Sequence, residues 1–261
     1  MSDALRVIPL GGVGEIGKNM LALEQGDDIV VIDAGLMFPD EEMLGIDLVI
    51  PDITYLKQNK KKVRGIVLTH AHEDHMGALP YVLRDLPDVP IYGTKLTLGL
   101  MRTKLREHKL ADKVDAREFA PGSPFKVGAF ACDSYAVCHS IPDAVGITLE
   151  TRYGTVVHSG DWKFDHTPVD GRQTVQAAAG RVNGCVKVLP GHQHHPEMTG
   201  SPLDSGQPAL PFDLCGTATG VPACPRRVER EQIPALGRAQ KDEIPVLEVD
   251  TPHAEEPGVE S

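Results

Sequence analysis

Read as a pattern of apolar and polar positions, the first two-thirds of the chain alternates short apolar runs with turns. LRVIPL, NMLALEQ and DIVVIDAG are successive strand-length runs. A Gly26-Asp27-Asp28 turn joins the last two into a hairpin. RGIVLTH predicts a buried strand. Gly77 to Leu86 reads as a helix with Met76, Leu79, Leu83 and Leu86 along one face. Pro80 falls in its first turn, where a missing N–H costs nothing. Leu96 to Leu110 predicts a second helix ending on basic residues. PFKVGAFACDSYAVCHS and GITLETRYGTVVHSGD supply more strands. Strands with helices between them predict an α/β fold of stacked sheets with helices outside.

The pattern changes near residue 174. All the aromatic residues but Phe212 lie before that point, yet 11 of the 21 prolines lie after it. The later segment holds no sustained period of 2 or 3.6, and prolines interrupt each candidate element. Such a segment buries little apolar area to offset its ordering entropy. The expected organisation is therefore a folded domain over 1–174 and a Pro-rich, disordered tail over 175–261. A short element near Ile244 to Val249 is the expected exception.

Composition narrows the class. No apolar run approaches the roughly 20 residues of a membrane span, and the N-terminus carries no signal-peptide pattern. A cytoplasmic address with no membrane partner is the default. Cys132, Cys138, Cys185, Cys215 and Cys224 form no CxxC pair, which suits reduced thiols, with Cys132 and Cys138 as small buried hydrophobes. The net charge of −11 argues mildly against a polyanion held by the overall surface.

The chemistry concentrates in Thr69-His70-Ala71-His72-Glu73-Asp74-His75, directly after an apolar strand. Side chains two apart on an extended segment point the same way, so His70 and His72 can reach one metal. The turn into the following helix swings Asp74 and His75 towards a second position. Imidazole nitrogens with a carboxylate suit zinc. His139 and Asp161 each close a strand, and ligands delivered from strand ends onto one rim suit a rigid metal site. Gly12-Val13-Gly14-Glu15-Ile16-Gly17 with Asp33 satisfies the dinucleotide-binding spacing. Asn19 to Gln25 is too short for the required helix, however, so a hairpin near the metal rim is expected and not NAD binding. The run Lys57 to Arg64 reads as a solvated turn with RNA contact as the lesser alternative. His158 reads as a core or supporting histidine, and His108 and His166 as exposed. His192, His194 and His195 read as ordinary polar residues.

The HxHxDH motif, a lone histidine and a strand ending in aspartate resemble the metallo-β-lactamase superfamily. LGGVGEIGKNM, VVIDAGLMFP, LTHAHEDHMGALPY, CHSIPDAVG and VVHSGDWKFDHTPVDG narrow the resemblance to the ribonuclease J family of the β-CASP branch, over residues 5–172. The resemblance implies an αββα sandwich and hydrolysis of RNA phosphodiester bonds, both from the 5′ end and internally. It implies a zinc pair that supplies activated water. His70, His72 and His139 would hold the first zinc, and Asp74 and His75 the second, with Asp161 bridging. Asp74 and Asp161 would sit nearest the reaction, and Asp33 would steady the histidine loop from behind.

The family's chains are about twice as long, with an inserted β-CASP domain and a returning segment that brings another histidine to the second zinc. Nothing after Arg172 matches either part. The expectations are therefore an incomplete sandwich, a weakly held second zinc, and an unfinished RNA groove. Apolar faces left uncovered would favour a homo-oligomer or association with full-length subunits. A small-molecule metallo-hydrolase of the same superfamily, or a zinc-binding fragment without catalysis, are the alternatives.

Overall fold

The computed structural model describes residues 4–13, 15–163 and 167, with two further strand segments, 186–189 and 247–250. In chain order the elements are β1 (Ala4–Gly11), β2 (Met20–Gln25), β3 (Asp28–Ile32), α1 (Thr54–Gln58), β4 (Val63–Val67), α2 (Glu73–Met76), α3 (Leu79–Asp85), β5 (Ile91–Gly93), α4 (Lys95–Glu107), β6 (Ala116–Glu118), β7 (Phe125–Val127), β8 (Phe130–Ala136), β9 (Val145–Thr151), β10 (Gly154–His158), β11 (Val186–Leu189) and β12 (Leu247–Asp250). They form a seven-stranded sheet, β12-β1-β2-β3-β4-β5-β6, and a five-stranded sheet, β11-β10-β9-β8-β7.

Strand alternation builds two cores from one sheet. Ile29 and Val31 face the helices and pack with Ile66, Leu79, Val82, Leu98 and Leu105. Val30 and Ile32 face the other way and meet Phe130, Ile147, Leu149 and Val156 of the second sheet. Among the described residues the layers are thus helix, sheet and sheet. Each buried aliphatic side chain contributes about 1.5–3 kcal/mol relative to exposure.

The parallel run β3-β4-β5-β6 carries the C-terminal ends of these strands to one edge. Crossovers through helices enforce that direction. Asp33 and the His70–His75 run leave the sheet on this rim. Val145 N–H donates to Thr69 O at 3.0 Å, and this ties the second sheet to the same edge.

Several expectations shift in detail. The helix expected over 77–86 is α3, preceded by the single turn α2, so Asp74 and His75 are helical. Met76, Leu79, Leu83 and Leu86 are all buried as the spacing predicts. The second helix begins at Lys95 and ends at Glu107, and just beyond it Lys109 takes a left-handed φ of 59°. The strands β5 and β6 and helix α1 had no counterpart in the sequence reading. β11 and β12 lie beyond residue 174: β11 pairs in parallel with β10, and β12 pairs antiparallel with β1. The rest of 175–261, including His192, His194, His195, Cys185, Cys215 and Cys224, lies outside the described residues, as does His166.

Candidate metal centre

Three segments build the centre: the loop and first turn after β4, the residues after β8, and the turn after β10. Thr69 and His70 are fully buried behind the rim, and His75 and Asp161 are nearly so. The backbone of 34–36 braces the motif. Ala34 N–H donates to His75 O at 2.7 Å, and Leu36 N–H to Glu73 O at 3.0 Å. Between them the two segments come so close that a Cβ on Gly35 would lie 1.6 Å from Asp74 O. Only glycine fits there.

His70, His72 and His139 converge. His70 Nε2 lies 3.0 Å from His72 Nδ1, and His139 Nε2 lies 3.1 Å from the same atom. His70, His75 and Asp161 form a second group, and within each group the candidate donor atoms lie within 4.8 Å of one another. His70 thus stands between the two groups. Asp74 has a side chain about a third exposed, with its Oδ2 3.5 Å from His75 Nε2. Asp161 Oδ2 is 3.3 Å from His75 Nε2 and 3.8 Å from His139 Nε2. Five of the six expected residues fall in these two groups, and Asp74 lies beside the second, outside both.

Asp33 underlies it. One carboxylate oxygen accepts from Thr69 N–H, and the other accepts from the Thr69 hydroxyl and faces His75 Nδ1, each at 2.8 Å. Because the Thr69 hydroxyl hydrogen goes to Asp33, its oxygen accepts from His70 Nδ1 at 3.0 Å. His70 then presents the Nε2 lone pair, and His75 likewise turns Nε2 inward. Such outer hydrogen bonds fix tautomer and ring orientation at metal sites. Asp33 itself holds a φ of 61°, uncommon for a non-glycine residue.

Electrostatics differ between the histidines: His70 is held neutral, whereas His75 is held protonated, so a cation bound at His75 would have to displace a proton. Burial holds His70 well below the ordinary imidazole range, aided by His75 and opposed by Asp161. Burial would also lower His75, but the carboxylates of Asp33 and Asp161 outweigh it and push it up to about 10. Burial would raise Asp161, yet His75, His70 and His139 hold it well below the usual carboxylate range. Four imidazoles and a buried anionic carboxylate, divided between these two groups, are donors of the kind divalent transition metals take.

Other candidates fall outside the cluster. His158 Nδ1 accepts from Gly160 N–H at 3.2 Å and so supports the turn that carries Asp161. His108 meets Tyr81 edge to face. Cys132 and Cys138 are buried, and neither forms a disulfide. The glycine-rich loop leads into β2, and not into a helix. Sequence reasoning missed Thr69 and Asn19. Asn19 sits 55 residues from Asp74, which its amide bonds, and no local pattern advertises such a contact.

A buried histidine–aspartate cluster on the rim of stacked sheets defines a superfamily here. Residues 13–179 match the metallo-beta-lactamase superfamily, and the chain belongs to it. Within it, the first two-thirds of the chain is similar to ribonuclease J. The Thermus thermophilus ribonuclease J is 47% identical over 177 residues, 65% of this chain and 31% of that protein. Ribonuclease J2 of Bacillus subtilis is 48% identical over 167 residues, 64% of this chain and 30% of that one. The chain spans about a third of the length of these relatives. The crystal structure of Zn(2+)-bound PqqB from Methylobacterium extorquens shares the fold, with a TM-score of 0.51 at 13% identity over 71% of this chain and 72% of that one. No helix among the described residues is long and apolar enough to cross a membrane.

Proposed function

We propose that this chain is a zinc-dependent phosphodiester hydrolase that acts on RNA in the manner of its ribonuclease J relatives. The observation that carries the reading is the convergence of His70, His72 and His139 beside the buried His75–Asp161 pair. The first three residues would hold one zinc, and Asp74, His75 and Asp161 would hold a second. When bound, the metals supply an activated water and absorb charge that develops at phosphorus.

The chain's own residues prepare that chemistry. Asp33 and Thr69 fix which nitrogen of His70 and His75 faces inward. Burial keeps His70 neutral, so its lone pair stays available. Asp161 stays anionic because three imidazoles surround it, and its buried position excludes water from one side. Ser140, with Oγ 3.4 Å from His72 Nε2, lies at the open mouth beside the same ring. Hydrogen bonds to phosphate oxygens are the natural use of such groups.

Association with further copies or with longer relatives belongs to the same proposal. Ile16, Phe38 and Leu44 are exposed on loops at the rim, where a second surface would bury them. Sedimentation velocity checks this: a monomer across the micromolar range counts against it.

The catalytic reading is tested by incubating the purified chain with 5′-monophosphorylated RNA, with and without a chelator and zinc. Cleavage that zinc restores, and that Asp161→Asn abolishes, is the expected result. Hydrolysis of a thioester or lactam with no RNA cleavage would replace RNA by a small-molecule substrate, a reading the net charge of −11 favours.

A further inference from the structure

Asn19 is a side chain outside the histidine–aspartate set that reaches two of its candidate ligand atoms, Asp74 Oδ2 and His75 Nε2. It follows the glycine-rich loop and precedes β2, so the fold brings it to the rim from the opposite end of the β1–β2 connection. Its backbone N–H donates to Asp74 O at 3.0 Å. Its side-chain Nδ2 donates to Asp74 O at 3.1 Å and to Asp74 Oδ2 at 3.2 Å, and lies 3.1 Å from His75 Nε2. Its backbone carbonyl accepts from Gly35 N–H at 2.9 Å. Asn19 is therefore fastened on both sides to the segments that carry Asp74 and Asp33.

This geometry bears on a weak point. Asp33 and Thr69 orient the rings of His70 and His75, and three imidazoles surround Asp161. Asp74 has no such support from Asp33: its side chain is about a third exposed, and it sits in the first turn of a four-residue helix. Left alone, its carboxylate would sample several rotamers. The Asn19 amide selects the one that faces His75. The glycine-rich loop makes room for this, because a Cβ on Gly12 would lie 2.6 Å from Asn19 Oδ1. The loop whose spacing imitates a dinucleotide site thus serves to seat one amide.

We propose that Asn19 is a positioning residue that fixes the Asp74 carboxylate beside His75 and so sets the affinity of the Asp74–His75–Asp161 position for its cation. The inference rests on the metal reading above. It assigns Asn19 a part in the second position alone, since Asn19 touches none of His70, His72 or His139. Positioning groups of this kind typically change metal affinity about 10–100-fold.

The test titrates the full chain with Co2+, whose visible absorption reports ligand geometry, for wild type, Asn19→Ala and Asn19→Ser. Wild type is expected to take up two equivalents in separate phases. In Asn19→Ala the first phase should be unchanged and the second Kd raised about tenfold or more. Asn19→Ser keeps a donor on a shorter arm and should fall between. Equal loss in both phases would mean Asn19 only holds the fold together, and an unchanged second phase would mean the amide does no positioning; either overturns the proposal. So does a wild type that binds a single equivalent. A first phase that survives in all three proteins keeps the metal reading standing whatever the second does, whereas no uptake at all removes both.

Discussion

Asp33 shows how much one residue can organise and how little of it a sequence displays. The motif around His70 to His75 is legible because its donors are adjacent in the chain. The residues that orient them act through space, as Asp33 does on His75 across 42 positions. Glu24 is a second buried hub, away from the metal centre. Lys62 Nζ and Arg6 Nη1 each donate to its carboxylate at 2.9 Å, and the Tyr55 hydroxyl donates as well. Burial alone would raise its pKa, but these partners hold it below the ordinary carboxylate value. The sign follows directly: a depressed folded pKa stabilises the fold above about pH 4.3 and loses that contribution as pH falls through the folded value. Glu24→Gln should therefore lower stability by about 1–3 kcal/mol at neutral pH. In denaturant melts the gap from wild type should close below about pH 4. A gap that is the same at pH 3 and pH 7 would contradict the assignment.

At the scale of elements, the cations divide into spent and free. The run from Lys57 to Arg64 reads in sequence as a solvated turn with RNA contact as the lesser alternative, and the fold pairs most of it with carboxylates. Lys57 meets Asp85, Lys62 meets Glu24 and Asp27, and Arg64 meets Asp28. Lys95, Arg102, Arg106 and Lys109 lie on and just beyond α4, and none makes an ion pair among the described residues. Spacings of seven and four place Lys95, Arg102 and Arg106 along one exposed stripe of the helix, and Lys109 follows just past its end. Double charge reversal at Arg102 and Arg106 should weaken RNA binding and flatten its dependence on salt. The same change at Lys60 and Lys61, on the far end of β4, should have little effect. Fluorescence anisotropy across a salt series distinguishes the two, and equal losses would contradict this division. The long elements were legible because their periods repeat. β5 and β6 have three residues each, too few to show any period, and only their neighbours in the sheet make them strands.

For the whole molecule, the sandwich is a frame that delivers strand ends to one rim. Phe130, Ile147 and Leu149 of one sheet and Val30 and Ile32 of the other share a core, so the segments that carry His139 and Asp161 are held against the segment that carries His70. The composition break near residue 174 marked where apolar patterning stops. It did not mark where pairing stops, because β11 and β12 add strands to the two sheets from beyond it. β12 overlaps the short element expected near Ile244 to Val249, whereas β11, with no such expectation, acquires its identity from β10, whose edge it completes. That information is tertiary. Whether this rim is a metal centre is tested most directly by elemental analysis of zinc and other divalent metals per chain. Wild type purified without chelator should retain at least one divalent metal per chain, and His72→Ala should lose it while keeping its circular dichroism. Metal content near zero in wild type even after incubation with excess zinc, or equal content in both proteins, would contradict it.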